Sequence, residues 1–348
     1  MPPTPRLTAS ADLYRAHGLG NDYLVVDAGG DWAVTPANVA AVCHRLRGAG
    51  SDGVIVVGAR EDGAFVLGGF NPDGSEFERS GNGLRIVAAW LFREGRVGRE
   101  PFPVHIGGAR GSRVTLEVHG REGGRYDVSV AMGRAAVGPE AVALDPGALE
   151  VGPGGEADPA RGSGGGSAGE GSAAEDGVAA GEGAAAREED AAGDGAAAVE
   201  GAARLAGPDG EALDVTPVAV GNPHLVVRGE PLDPGRMEEL GRWLTAHPAL
   251  AHGANVQLAR PAGPRRLHAL VWERGVGPTE ASGTSACAVA VAAVHRGDVE
   301  PGPVEVAMAG GTLQVQVEAE LEVTLRGPVE EVMTGRLCSG FLESLPDR

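Results

Sequence analysis

Short β-branched runs, broken by glycine and proline, recur along most of the chain. Residues 23–27, 54–57, 114–118, 126–131, 215–220, 267–272, 313–317 and 321–325 each have the length and residue types of a strand. Polar and apolar residues alternate over 113–118 and 312–317, the pattern of antiparallel sheet with one wet face. Two segments depart from this rhythm. Residues 83–93 (GLRIVAAWLFR) and 284–296 (TSACAVAVAAVHR) are apolar nearly all round. A helix without a polar face belongs in a core, so each is expected to be wrapped by its own sheet.

The pattern fails over residues 149–212, where Gly, Ala, Ser, Glu and Asp dominate and no apolar period persists. Such a composition cannot bury enough apolar area to offset ordering entropy. The segment is expected to be a disordered, passive insertion, with transient helix over 181–204 because alanine is the best helix former. Removing it leaves two folded blocks, residues 10–148 and 213–345.

Composition supports real cores, with 42% hydrophobic residues, and a formal charge of −19. Residues 151–200 hold 11 acidic and 2 basic side chains, a net of −9, so the other 298 residues carry −10. That balance argues against a nucleic-acid partner, which requires a basic face. Cys43, Cys287 and Cys338 form neither a disulfide framework nor a metal-ligand spacing. Neither a signal pattern nor an apolar run long enough to span a bilayer is present. A cytoplasmic location without a membrane partner is therefore expected, and a homodimer is the commonest assembly.

The candidate chemistry lies where the two apolar helices begin. Ser80-Gly81-Asn82-Gly83 precedes the first and Ser282-Gly283-Thr284-Ser285 the second, which reads as an internal duplication with one copy per domain. Two related domains facing across a cleft would aim two helix N-termini into it. Such termini offer unpaired N–H groups and positive dipole ends, suited to a carboxylate and to charge developing on the carbon beside it. Ser80 and Ser282 also suit plain N-caps, among the commonest roles of serine.

Further motifs extend this reading. His17-Gly18-Leu19-Gly20-Asn21-Asp22, Phe70-Asn71-Pro72-Asp73-Gly74-Ser75-Glu76, Ser80-Gly81-Asn82-Gly83-Leu84-Arg85, Gly221-Asn222-Pro223-His224, Asn255-Val256, Trp272-Glu273-Arg274-Gly275 and Ala281-Ser282-Gly283-Thr284 follow one another in order. Together they resemble the diaminopimelate epimerase family over nearly everything outside the insertion. The resemblance implies an α/β (α+β) fold of two pseudo-symmetric domains. Each would be a curved, mostly antiparallel sheet around a central apolar helix, with the active site in the interdomain cleft. It also implies a cofactor-independent and metal-free amino-acid isomerase.

By position, Asn21, Asn71, Asn222 and Asn255 match residues that bind the substrate's polar groups. Gly81, Asn82, Gly283 and Thr284 match the helix starts that hold the reacting carboxylate. Glu273 and Arg274 match a pair at the substrate, with Glu273 also placed to influence one catalytic group and His224 the other. For the isolated residues simpler roles stand beside these: a turn for Asn71-Pro72-Asp73-Gly74, and a hydrogen-bonded structural role for His224.

The departures fall at the reaction centre. Ser80 and Ser282 stand where the family has its two catalytic cysteines, and Cys287, inside the second helix, does not replace them. A helix N-terminus can bring a thiol from about 8.5 down to roughly 3.5–7.5, whereas serine needs a neighbouring base. Glu76, Glu78, His224 and Glu273 are candidates for that base. Ser51-Asp52-Gly53 lies where some relatives place a substrate-contacting glutamine. Three activities stay open: epimerisation of diaminopimelate, isomerisation or dehydration of another small acid, and amino-acid binding without catalysis.

Overall fold

The computed structural model describes residues 7–59, 63–76, 79–107, 112–145, 201–229 and 232–347. The first part of the chain forms β1 (Thr8–Ala9), β2 (Asp12–Gly18), β3 (Asn21–Asp27), β4 (Trp32–Ala33), α1 (Pro36–Cys43), β5 (Val54–Ala59), β6 (Phe65–Phe70), α2 (Gly81–Arg93), β7 (Phe102–Ile106), β8 (Ser112–Glu122), β9 (Arg125–Arg134) and β10 (Ala136–Val137). The second part forms β11 (Ala203–Ala206), β12 (Ala212–Ala219), β13 (Pro223–Arg228), α3 (Pro234–Thr245), β14 (Asn255–Gly263), β15 (Arg266–Glu273), β16 (Gly277–Thr279), α4 (Gly283–His295), β17 (Gly302–Met308), β18 (Gly311–Val317), β19 (Glu322–Arg336) and α5 (Ser339–Glu343). Each expected strand falls on an observed one, except that residue 220 lies just past β12 and Leu321 just before β19, at a turn with φ 61°.

One strand topology occurs twice. β2 and β3 pair antiparallel, β3 runs parallel to β5, β5 antiparallel to β6, β6 parallel to β7, and β7, β8 and β9 antiparallel in series. β12, β13, β14, β15, β17, β18 and β19 repeat that succession. Parallel neighbours need a crossover. α1, α2, α3 and α4 each lie between the two strands of a parallel pair.

β19 pairs with both β9 and β2, and β10, which continues β9, pairs with β12. Two closed circuits of strands result, sharing β9–β10 and β19. α2 packs inside the first, against β2, β3, β8, β9 and β19, and α4 inside the second, against β12 to β15 and β17 to β19. All residues of α2 from Gly81 to Leu91 and of α4 from Gly283 to Ala293 are buried, as their lack of a polar face requires.

One expected boundary needs correction, and the two helices share a core: α2, α4 and strands of both circuits form one continuous apolar cluster, because β9 and β19 serve both. α1 and α3 add smaller clusters of their own. The segment assigned to the insertion is ordered from residue 201, where β11 pairs with β12 and buries Leu205. Only four residues of β11 alternate, too few to stand out beside the low-complexity tract. Residues 146–200 lie outside the described residues, including most of the expected transient helix. No described helix is long and apolar enough to cross a membrane.

Candidate active site

Both apolar helices begin one residue or two before the sequence pattern shows, at Gly81 and Gly283. Ser80 and Ser282 are indeed N-caps: Ser80 Oγ accepts from Gly83 N at 3.0 Å and Ser282 Oγ from Ser285 N at 3.5 Å. This leaves the N–H groups of Gly81, Asn82, Gly283 and Thr284 as the open donors of the two first turns.

The two starts touch. A Cβ on Gly81 would stand 3.3 Å from Gly283 Cα, and one on Gly283 3.1 Å from Gly81 Cα. Leu325 Cδ2 lies 2.7 and 2.8 Å from the same two positions. Glycine suits both positions, because a side chain at either would press on the facing backbone and on Leu325. Two positive dipole ends thus converge on one point, where a carboxylate and adjacent negative charge would be stabilised.

Hairpin loops from each circuit reach the helix start of the other. The β2–β3 loop, with Leu19 and Gly20 at positive φ, packs on Glu280 ahead of Ser282, 3.3 Å separating its Oε2 from a Cβ on Gly20. The β12–β13 loop packs on Arg79 ahead of Ser80, its Cδ 3.2 Å from a Cβ on Gly221. The first loop delivers Asn21, whose Oδ1 accepts from Asn82 Nδ2 at 3.0 Å and whose Nδ2 donates to Asp52 at 3.0 Å. Arg45 Nη2 holds the other Asp52 oxygen at 2.6 Å.

Glu273, at the end of β15, faces Ser282. Burial pushes its carboxyl above the usual carboxylate range, the Ser282 hydroxyl opposes that shift, and the charge of Asp52 adds to it. Tyr23 faces Ser80. Burial raises its phenol well above the ordinary value, so it is neutral, with Ser80 and Asn21 opposing that shift and Glu273 and Asp52 adding to it.

His224 is fully buried between two partners. Gln257 Nε2 donates to Nδ1 at 3.0 Å, which leaves Nε2–H to donate to Asn222 Oδ1 at 2.9 Å. Burial lowers its pKa to about 3, and both ring nitrogens are engaged. This is the arrangement of a positioning residue rather than of a proton carrier. Gln257 Nε2 also donates to Ser285 Oγ at 3.0 Å, tying His224 to the first turn of α4.

The other expected site residues have partners of their own. Asn255 pairs in register with His224 and accepts from Arg274 N at 2.9 Å, while the exposed Arg274 guanidinium donates to His252 O at 2.6 Å. Asn71 donates to Ser75 Oγ at 3.0 Å within a turn, the simpler of its two expected roles. Glu76 is exposed on the surface, and Glu78 lies outside the described residues. Among the described residues no group of three or more His, Cys, Asp or Glu could hold a metal ion.

Sequence reasoning left Tyr23, Arg85, Gln257 and Ser285 without roles and noted Asp52 only as a departure. Arg85 was visible as a charge inside an apolar helix, and Gln257 as an amide inside an apolar strand.

The sequence model described as diaminopimelate epimerase matches residues 13–137 and 216–336, leaving 138–215 unmatched. The diaminopimelate epimerase of Desulforudis audaxviator is 32% identical, the alignment covering 93% of this chain and 98% of that relative. That of Desulfitobacterium hafniense is 30% identical, covering 95% and 99%. Among solved structures, a hydroxyproline epimerase from Agrobacterium vitis shares the fold with a TM-score of 0.57 at 15% identity, covering 96% of this chain and 92% of that one. A probable proline racemase from Agrobacterium radiobacter does so with a TM-score of 0.58 at 14% identity, covering 95% and 93%.

Proposed function

The chain belongs to the diaminopimelate epimerase family, and from that premise we propose that it interconverts LL- and meso-diaminopimelate by cofactor-independent exchange of one α-proton where α2 and α4 meet. The observation that carries the reading is the backbone contact of Gly81 with Gly283, which converges two helix N-termini on one point. We take the two circuits as two pseudo-symmetric domains with the site in the cleft between them, and the assembly as a homodimer, which sedimentation would test.

The substrate α-carboxylate would take the open N–H groups of Gly81, Asn82, Gly283 and Thr284. Asn21, Asn71, Asn222, Asn255, Glu273 and Arg274 would receive its remaining polar groups. When the Cα–H bond breaks, the electron pair moves into the carboxylate, and the paired dipoles stabilise the resulting dianion. Ser282 has Glu273 beside it and can pass its own proton to that carboxylate as it takes the α-proton. Ser80 would deliver a proton from the opposite face, while the neutral His224, linked through Gln257 to Ser285, would position the first turn of α4. Delivery leaves an alkoxide at an N-cap, far less accessible than a thiolate there.

Both serines give one further reading its support: a relative that acts on another small amino or carboxylic acid, or only binds one. Incubation with LL-diaminopimelate in D₂O, followed by NMR, separates the two. Loss of the α-proton with meso product supports epimerisation; binding without exchange supports the alternative. The Ser80→Cys/Ser282→Cys variant is expected to gain at least about a hundredfold in exchange, within the usual range of general acid–base catalysis. No gain would count against this site.

A further inference from the structure

α2 carries one charge inside its buried stretch. Arg85 is 0% exposed and is among the largest fully buried side chains of the described residues. A buried guanidinium ordinarily meets a carboxylate. None among the described residues forms an ion pair with this one. Its Nε donates to Gly81 O at 3.4 Å, its Nη1 to Pro328 O at 3.3 Å and its Nη2 to Asn82 Oδ1. Gly18 on β2 and Gly327 on β19 make room for it: a Cβ on Gly18 would stand 2.9 Å from Nη2, and one on Gly327 would overlap Nη1. Asp127 on β9, itself clamped by Arg326, and the thiol of Cys287 on α4 act on it only over distance. Burial brings its pKa to about 10, so it stays cationic at neutral pH.

The bonds that leave Arg85 have a fixed direction. A guanidinium only donates, so Asn82 must turn its oxygen to Arg85 and its Nδ2 outward. That Nδ2 donates to Asn21 Oδ1, so Asn21 must turn its own Nδ2 to Asp52. A carboxylate only accepts, so the far end demands the same orientation. A donor-only cation and an acceptor-only anion thus bracket two amides, and neither amide can flip without breaking two bonds.

We infer that Arg85 is a positioning residue of the reaction centre: it aims the Asn82 and Asn21 amides and supplies a fixed, carboxylate-free positive charge behind the paired helix starts. The centre receives a carboxylate and a developing second negative charge, so a cation without an ion-pair partner among the described residues favours the dianion over the bound substrate. The aim of the amides fixes where the remaining Asn82 N–H meets the ligand. The inference rests on the proposed function for its chemistry, but its first test needs no turnover.

In that test Ser80→Cys places a thiol at the start of α2, and the pH dependence of its alkylation by iodoacetamide reports the local potential. The alkylation of Cys43, Cys287 and Cys338 is subtracted using the parent protein. Adding Arg85→Met is expected to raise the midpoint for the new thiol by about one pH unit, as loss of one nearby charge in a partly shielded setting does. Arg85→Lys, which keeps the charge, is expected to restore more than half of that shift. An unchanged midpoint in a folded Arg85→Met protein, judged by circular dichroism, overturns the inference. Should Arg85→Met fail to fold, Arg85→Gln keeps an N–H donor for Asn82 and removes only the charge; the same rise is expected, and its absence is equally decisive.

A second measurement uses Ser80→Cys/Ser282→Cys as the parent enzyme. There Arg85→Gln is expected to lower kcat about tenfold or more with KM within about threefold, because charge that builds up in the transition state feels the cation most. Equal loss in both would make Arg85 merely structural. Absence of turnover in that parent would count against the proposed function and leave the thiol result standing.

Discussion

Serine and cysteine are close in size and differ mainly in acidity, so Ser80 and Ser282 can preserve the geometry of a two-sided proton exchange while changing its energetics. Glu273 is the residue through which this can be examined. A carboxyl whose folded pKa lies above its unfolded value holds its proton more tightly in the native state. Its stabilising contribution is then full below the unfolded carboxylate pKa and is lost as pH rises through the raised native value. Ionised Glu273 therefore costs stability at neutral pH, where its role as base for Ser282 requires the charge. Glu273→Gln is expected to gain thermal stability relative to the parent as pH rises from about 4 to about 8, while losing α-proton exchange. Parallel melting curves across that range would show that the carboxyl is not held in a raised state.

At the level of elements, the reaction centre depends on two helices starting where two glycines touch. Ser80 and Ser282 stop the helices at the right residue, and Gly81 and Gly283 let the backbones meet over Leu325. Gly81→Ala forces a methyl group against both the Gly283 backbone and the Leu325 side chain. Overpacking of this kind costs typically about 1–3 kcal/mol. Leu325→Ala would relieve the side-chain clash but not the backbone one. Gly81→Ala/Leu325→Ala is therefore expected to recover little ligand affinity, measured by calorimetry with diaminopimelate. Full recovery would mean that the backbone contact is dispensable.

Across the whole molecule, two strand circuits share β9–β10 and β19, so neither circuit can close without the other. The family match omits residues 138–215, most of the chain between β10 and β12. β11 nevertheless pairs with β12 and buries Leu205, so the dispensable part is narrower than that gap. Replacing residues 146–200 by a short Gly-Ser linker is expected to leave the melting transition and the exchange rate close to those of the parent. A large loss of either would assign the segment a role in folding or catalysis.

How far these features can be read from sequence follows from which interactions are local. Strand runs, two all-apolar helices, their serine caps and the repeat of Ser-Gly before each were legible because each depends on residues close along the chain. α1 and α3 were not singled out, although Thr35-Pro36 and Asp233-Pro234 are sound helix starts, because their half-apolar patterns are short. The ordered motifs named the candidate site residues but not their partners. That Asn71 spends its amide on Ser75, that His224 is locked neutral by Asn222 and Gln257, and that the two circuits share one core are long-range facts. The same holds for the chain of bonds from Arg85 through Asn82 and Asn21 to Asp52, which joins residues up to 61 positions apart. Sequence alone determined which residues cap the helices and that the motif repeats, since capping and periodicity are local physics. Only the tertiary structure decided that the two caps meet at one point and that an unpaired cation stands behind them, because convergence and burial depend on how distant strands close around the helices.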